Sequence, residues 1–162
     1  MWIELPAFWL TLLNLCAIPA IHLGVSWCYT GMPASWFDPE SLWFRQRGWE
    51  RGGSIYQSFF KIRSWKGMLP DAAPWFGGFA KGKLKEKDPS YIAAFIVETC
   101  RGEAAHYAQM AVLLATLIWN PWPIAALVMI IYALFSNLPC SVLQRYTRAR
   151  LRRLRDQLEQ RS

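Results

Sequence analysis

Positive charge is missing from two long stretches of this 162-residue sequence. All eighteen Lys and Arg lie between residues 45 and 101 or between residues 145 and 161, so residues 1–44 and 102–144 contain none. A soluble globular chain spreads its charge over its whole surface, which makes such long gaps unusual. A charge at the centre of a membrane helix costs roughly 2.5–3.5 kcal/mol, and this cost explains the gaps. The pattern predicts an all-α integral membrane protein.

The signatures of several enzyme and metal-site classes are also missing. The four cysteines form no Cys-x-x-Cys pair and show no zinc-ligand spacing, which argues against a metal site or a disulfide framework. The sequence has no Gly-rich phosphate loop, no G-x-S-x-G and no H-x-x-x-x-D. No Lys or Arg precedes the first apolar run, so we do not expect a cleaved signal peptide. We also expect no metal, no bound cofactor and no nucleic-acid partner.

What the sequence does contain is three apolar stretches, at about residues 3–29, 104–119 and 122–143. A membrane-spanning helix needs about 20 such residues. The last two stretches are separated only by the turn signal Asn120-Pro-Trp-Pro123, which predicts an antiparallel helical hairpin. Three spans place both basic blocks on one side of the bilayer, and the positive-inside rule makes that side the cytoplasm.

The segments outside the predicted spans are basic and aromatic. We assign residues 30–103 to a cytoplasmic or interfacial segment and residues 144–162 to a basic cytoplasmic helix. Within the first segment, residues 54–66 carry apolar side chains at helical spacing beside Lys and Arg, which is typical of an interfacial amphipathic helix. A further helix is predicted to begin after a cap at Asp88 or Ser90.

Four ionisable residues lie close together at the mouth of the second predicted span. Glu98 and Arg101 are three residues apart, and so are Glu103 and His106, which makes each pair neighbours on a helix. A carboxylate that orients an imidazole is the base arrangement used in acyl transfer. The alternatives are a salt-bridged helix end without catalytic function, or Cys100 acting as a covalent nucleophile.

Two further features allow a structural or a functional interpretation. Asn137 is a polar residue two positions before Pro139 in an apolar run, which suits either an interhelical hydrogen bond or a substrate contact. Arg145, Tyr146 and Arg148 follow the third predicted span. This basic cluster could hold anionic lipid, or it could bind the phosphate of an acyl donor.

Four motifs, in order along the chain, resemble those of the glycosyl-4,4′-diaponeurosporenoate acyltransferase family, which completes staphyloxanthin-type carotenoid synthesis. They are Arg63-Ser-Trp65-Lys66 with Leu69-Pro70-Asp71, Glu98-Thr99-x-Arg101-x-Glu103-x-x-His106, Asn137-x-Pro139, and Gln144-Arg145-Tyr146-x-Arg148-x-Arg150-Leu151. The resemblance extends from about residue 33 to residue 151 and is weakest in residues 72–90 and in the first span.

The resemblance implies a membrane O-acyltransferase that moves a fatty acyl group to a hydroxyl of a glycosylated membrane lipid at the cytoplasmic leaflet of a bacterial cell membrane. His106 is then the expected general base, oriented by Glu103 or Glu98. Arg101 is expected to steady Glu98 or the developing oxyanion, and Asn137 to donate a hydrogen bond to that oxyanion.

The expected partners are membrane lipids, the glycolipid acceptor, and an acyl donor such as acyl-CoA or acyl carrier protein as co-substrate. The residues expected to bind substrate are Arg63, Lys66, Arg145 and Arg148 for donor phosphates, with Trp65 and Tyr146 lining the headgroup pocket. The alternative class is a non-catalytic membrane protein that binds anionic lipid or assists assembly. Such a protein would need Lys and Arg but no carboxylate–imidazole pair.

Overall fold

The computed structural model describes residues 5–69, 73–81 and 88–160, and these residues contain no β-strand. The α-helices are α1 (Ala7–Gly31), α2 (Ser54–Phe60), α3 (Ile62–Trp65), α4 (Pro89–Ala115) and α5 (Pro123–Glu159). Short 3-10 helices occupy Ala34–Trp36, Gly48–Gly53, Lys66–Met68, Ala73–Phe76 and Thr116–Ile118. The predicted all-α class is confirmed. Residues 3–4 of the predicted first span and residues 161–162 of the predicted basic helix lie outside the described residues.

Two of these helices, α1 and α5, are long and apolar enough to cross a bilayer, with mean hydropathies of 1.7 and 2.0 in their most apolar windows. α1 buries none of its residues within the chain and exposes Phe8, Trp9 and Trp27. An apolar surface of this size requires an apolar environment or a partner. These two helices support membrane association, whereas the three-span arrangement stays a prediction.

The start of α4 agrees with the predicted cap. The Asp88 carboxylate accepts hydrogen bonds from the Ser90 and Tyr91 amides at 3.0 and 3.2 Å, and Pro89 occupies the first helical turn. Hydrogen bonds from the Ser90 hydroxyl and the Tyr91 amide hold the pKa of the Asp88 carboxyl below its ordinary value. The helix then runs without interruption through the ionisable residues near its middle.

The predicted amphipathic helix over residues 54–66 is interrupted at Lys61, which adopts a left-handed conformation with φ 46°. Two side chains satisfy backbone groups at the break. The Gln57 side-chain oxygen accepts the Arg63 amide at 3.1 Å, and the Trp65 indole donates to the Phe60 carbonyl at 2.6 Å. Periodicity alone does not predict a break that depends on these local hydrogen bonds.

α5 is one continuous helix that includes both the predicted span at about residues 122–143 and the described part of the basic helix that follows it. The helix passes through Pro139, whose ring removes one backbone hydrogen bond. Side chains bond carbonyls in the preceding turn. Ser136 Oγ donates to the Tyr132 carbonyl at 2.7 Å, and Asn137 Nδ2 donates to the Ala133 carbonyl at 3.0 Å.

The segment between α1 and α4 packs against the middle of α4 and α5 through two small hydrophobic clusters. They consist of Phe37 and Phe44 with Cys100, and of Tyr56 and Ile62 with Tyr146. Gly53 allows a close approach to α5. Its φ is 87°, and an added Cβ would lie 2.7 Å from the Ala149 Cβ. The packing of this segment therefore depends on a glycine at this turn.

Candidate functional site

A cavity of about 740 Å³ lies beside α3, α4 and α5. Its wall has an imidazole, several cations and an apolar part. The imidazole belongs to His106. The cations are Arg63, Lys66, Lys81, Arg150 and Arg153, and the apolar part consists of Leu69, Phe95, Leu143, Leu151 and Leu154. No Asp or Glu belongs to the lining formed by the described residues. The cavity therefore suits a ligand with an anionic group and an apolar chain.

His106 of α4 contributes the only imidazole of this lining, and Asn137 of α5 holds it. The His106 Nδ1 lies 3.1 Å from the Asn137 Oδ1. The Asn137 amide donates to the Ala133 carbonyl and to the Ser136 hydroxyl, both at 3.0 Å. Because both amide hydrogens are used, the Asn137 oxygen faces the imidazole and Nδ1 carries the proton. The Nε2 atom then keeps its lone pair.

Gln109, which the sequence reasoning missed, connects α4 to α1. Its amide nitrogen donates to the His22 carbonyl at 3.1 Å and to the Ser26 hydroxyl at 3.0 Å, and its oxygen lies 3.3 Å from His22 Nδ1. The available signal was a polar residue three positions after His106 in an otherwise apolar run.

Glu103 does not pair with His106, in contrast to the prediction from helical spacing. Its fully buried carboxylate accepts hydrogen bonds from the Arg145 Nε and the Tyr107 hydroxyl, both at 2.6 Å, and from the Arg148 guanidinium. Two arginines from α5 thus outcompete the neighbouring imidazole for this carboxylate. Glu103 stabilises the contact between α4 and α5.

Arg145 and Arg148 are occupied by this ion-pair cluster and do not line the cavity. Arg145 also bonds the Glu50 carboxylate at 3.1 Å and the Trp43 carbonyl at 2.6 Å, which attaches the segment after α1 to α5. Glu50 is buried, and the sequence reasoning did not include it. The structure therefore gives both arginines partners within the chain in place of the expected donor phosphate.

Glu98 and Arg101 form the predicted pair, at 3.1 Å. Arg101 also donates to the Thr30 carbonyl at 2.6 Å and to the Tyr29 carbonyl at 3.3 Å, at the end of α1. Neither Glu98 nor Arg101 lines the cavity. This pair fastens α1 to α4, so an oxyanion contact from Arg101 has no support in the geometry.

Cys100 has the environment of a structural thiol. It is fully buried and accepts a hydrogen bond from the Arg148 guanidinium at 3.1 Å. Burial raises the pKa of the Cys100 thiol, although the Arg148 charge opposes this effect. A reactive thiolate needs exposure and a lowered pKa, so the geometry argues against Cys100 as a nucleophile.

The remaining predicted substrate residues divide into two groups. Arg63, Lys66 and Tyr146 line the cavity, whereas Trp65 packs beside Tyr146 without belonging to the lining. Asn137 lies behind His106, and its amide hydrogens are already used, so it orients the imidazole rather than serving an oxyanion. Pro70 and Asp71 of the first motif lie outside the described residues.

Three cavity cations were not among the predicted site residues: Lys81, Arg150 and Arg153. Arg150 was present in the fourth motif, and Arg153 belongs to the basic run of α5. Charge content alone does not tell which arginine of such a run faces a cavity and which meets a carboxylate. That distinction depends on the rotation of α5 against its neighbours.

Comparison with known proteins agrees with the resemblance seen in the motifs. The model of the glycosyl-4,4′-diaponeurosporenoate acyltransferase family matches residues 33–157. The glycosyl-4,4′-diaponeurosporenoate acyltransferase of Staphylococcus aureus strain bovine RF122 is 27% identical over 136 residues, which cover 83% of this chain and 81% of the relative. The enzymes of strains USA300 and Newman are 27% and 26% identical, and these matches cover the same fractions of this chain and of the relative. No solved structure matches the chain.

The family match includes all four motifs on which the resemblance rests, and it covers the lining of the cavity together with the Glu103 cluster. The relatives are enzymes, which supports the catalytic prediction over a non-catalytic lipid-binding protein. The chain belongs to the glycosyl-4,4′-diaponeurosporenoate acyltransferase family, and it is an acyltransferase.

Proposed function

We propose that this protein transfers a fatty acyl group to a sugar hydroxyl of a glycosylated membrane lipid, with a carotenoid glycoside as the class of acceptor. The name of the family and of its relatives supports the acceptor class. The single observation that carries the chemistry is the position of His106 in the cavity wall, with Nδ1 held by a buried amide and Nε2 left as a base.

In this mechanism the His106 Nε2 removes the proton from the acceptor hydroxyl. The hydroxyl oxygen forms a bond to the donor's acyl carbon, and the carbonyl electrons move to its oxygen. The intermediate then collapses, the bond to the leaving group breaks, and His106 returns the proton to that group. Asn137 acts as a positioning residue because it fixes the tautomer. Glu98 and Glu103 hold the helices that carry the base.

We further propose that the enzyme works in a bacterial cell membrane, with the cavity on the cytoplasmic side. α1, the second half of α4 and the first half of α5 would form three spans. Support comes from large apolar side chains that the fold leaves exposed on these segments, including Val112, Ile124, Leu127 and Phe135. All Lys and Arg lie outside these spans, as the positive-inside rule requires.

The two histidines of the chain allow a matched test of the base. Purified enzyme in lipid nanodiscs would receive a glycosylated carotenoid and an acyl donor, and the ester would be measured by mass spectrometry. We expect His106→Gln to lower turnover by a factor of about 10² to 10⁴, the usual contribution of general-base catalysis. His22→Gln, the same substitution at a histidine outside the cavity lining, should lower turnover much less.

The pH dependence adds a second criterion. Wild-type turnover should fall at acid pH, because a protonated imidazole cannot accept the hydroxyl proton. The residual turnover of His106→Gln should lack this acid limb. Near-normal turnover of His106→Gln would remove histidine from the mechanism. Lipidomics that finds no glycolipid ester dependent on the protein would refute the proposed acceptor class.

A further inference from the structure

The arginines of α5 differ in their partners. Four of the six in residues 123–159 form ion pairs with carboxylates: Arg145, Arg148, Arg152 and Arg155. Arg150 and Arg153 form none with the described residues, and these are the two that line the cavity. The helix thus directs its neutralised arginines toward protein carboxylates and its uncompensated ones toward the cavity.

The cavity cations outside α5 follow a similar pattern. Arg63 of α3 and Lys66 of the following 3-10 turn line it, and neither forms an ion pair with the described part of the chain. Lys81 adds a further ammonium group to the lining. The four arginine and lysine side chains without an ion pair to the described residues, Arg63, Lys66, Arg150 and Arg153, create a positive potential at this concave surface that concentrates anions there.

Tyr146 holds two of these cations in place. It is 4% exposed, its hydroxyl accepts a hydrogen bond from the Arg63 Nε at 3.2 Å, and the Arg150 guanidinium carbon lies 5.7 Å from its ring centre. Guanidinium groups from α3 and α5 therefore converge on one buried side chain. Such forks match phosphate oxygens well.

The cavity lining also has an apolar part. Leu143, Leu151 and Leu154 of α5 face it together with Phe95 of α4, and His106 belongs to the same lining. A ligand that fills both parts carries a phosphate at one end and a hydrocarbon chain beside it. Its acyl carbonyl can then approach the imidazole.

We infer that this cavity is the acyl-donor site and that it binds a phosphate-bearing acyl compound through Arg63, Lys66, Arg150 and Arg153. The inference rests on the proposed function. The donor phosphate can come from a soluble pantetheine-type thioester such as acyl-CoA or from a membrane phospholipid, and both present the same phosphate chemistry to these cations. Arg145 and Arg148 have no part in donor binding, because Glu50 and Glu103 together neutralise them.

Kinetics with three matched arginine variants test the site. Arg150→Gln and Arg153→Gln remove one cavity charge each, and Arg155→Gln removes the same charge from an arginine outside the lining. One reaction series contains acyl-CoA in nanodiscs of ether-linked zwitterionic lipid. The other contains phosphatidylglycerol with labelled acyl chains and no acyl-CoA, so the series that yields ester identifies the source.

In the productive series we expect the donor KM of Arg150→Gln and Arg153→Gln to rise about tenfold, the effect of losing one charge-assisted hydrogen bond. The acceptor KM of these two variants should change little, and so should the donor KM of Arg155→Gln. The donor KM of the wild type should rise with salt more steeply than that of the cavity variants. A donor KM in both cavity variants equal to that of Arg155→Gln overturns the inference.

Direct binding separates this inference from the proposed function. Fluorescent acyl-CoA and fluorescent phosphatidylglycerol would be titrated against His106→Gln, with and without Arg150→Gln. Ester formation with an Arg150-independent KM refutes the donor site alone. Arg150-dependent binding without ester from any glycolipid refutes the function alone. If Arg150→Gln fails to fold, Lys66→Gln, which changes an exposed side chain of the same lining, gives the same measurements.

Discussion

Replacing Glu103 by glutamine should destabilise the protein more than it disturbs the chemistry. The carboxylate is fully buried and accepts hydrogen bonds from Arg145, Arg148 and Tyr107. Glutamine has nearly the same volume, but one of its terminal groups donates hydrogen bonds. That amide would face guanidinium groups that also donate, and the negative charge between them would be lost.

The size of this destabilisation depends on the partners that each arginine retains in the Glu103→Gln variant. Arg148 is 3% exposed, and its other partners, the Cys100 thiol and the Phe44 ring, carry no charge. Arg145 keeps the Glu50 carboxylate at 3.1 Å, so its loss is smaller. Leaving one buried charge uncompensated costs roughly 3–5 kcal/mol. For a chain of this size that corresponds to a decrease in Tm of roughly 6–20 °C.

Thermal unfolding of purified variants in detergent, followed by tryptophan fluorescence, measures this loss. Glu98→Gln is the matched control, because the same substitution on the same helix breaks a single pair whose side chains are 15% and 14% exposed. The double variant Glu103→Gln with Arg148→Met should recover much of the lost stability, because the second substitution removes the unpaired Arg148 charge from the interior.

Two results would refute this reasoning. Glu103→Gln could lower the Tm no more than Glu98→Gln does, which would mean that the cluster does not hold the fold. Alternatively, the effects of Glu103→Gln and Arg148→Met could add in the double variant, which would show that the two side chains do not interact.

Two further predictions concern packing and topology. Gly53→Ala should destabilise the protein by about 1–3 kcal/mol, since it forces a Cβ at positive φ against α5, whereas Gly48→Ala, with open space around it, should be nearly neutral in the same melting assay. Cysteines introduced at Lys83, which lies outside the described residues, and at Arg155 should be labelled from the cytoplasm, and one at Trp122 from the opposite side. Labelling of Lys83 and Arg155 from opposite sides contradicts three spans.

Local features of the sequence predicted local features of the structure. The cap at Asp88 and the Glu98–Arg101 pair involve residues two or three positions apart, where helix geometry determines the neighbours. Asn137 was selected as a polar residue in an apolar run and His106 as one of four ionisable residues at the mouth of a predicted span, and the structure joins them at 3.1 Å. A polar side chain in an apolar helix needs a partner, which makes such positions informative.

The partners of Glu103 could not be predicted in this way. Helical spacing offered His106 on the same helix, but Arg145 and Arg148, 42 and 45 residues later, hold the carboxylate. A permanently charged guanidinium is the stronger partner for a buried carboxylate, and only the packing of α4 on α5 brings it there. For the same reason Arg150 and Arg153 could not be assigned to the cavity from their place in a basic run.

In the proposed arrangement, one continuous helix, α5, connects the bilayer to the proposed donor site. Thirty-seven helical residues extend about 55 Å, whereas a bilayer core is about 30 Å thick. A thicker membrane would therefore draw more of the helix inward and shift Arg150 and Arg153 relative to the lipid headgroups. Because α5 continues as one helix through Pro139, we expect such a shift to reach its basic end, and turnover to pass through an optimum across nanodiscs of increasing thickness.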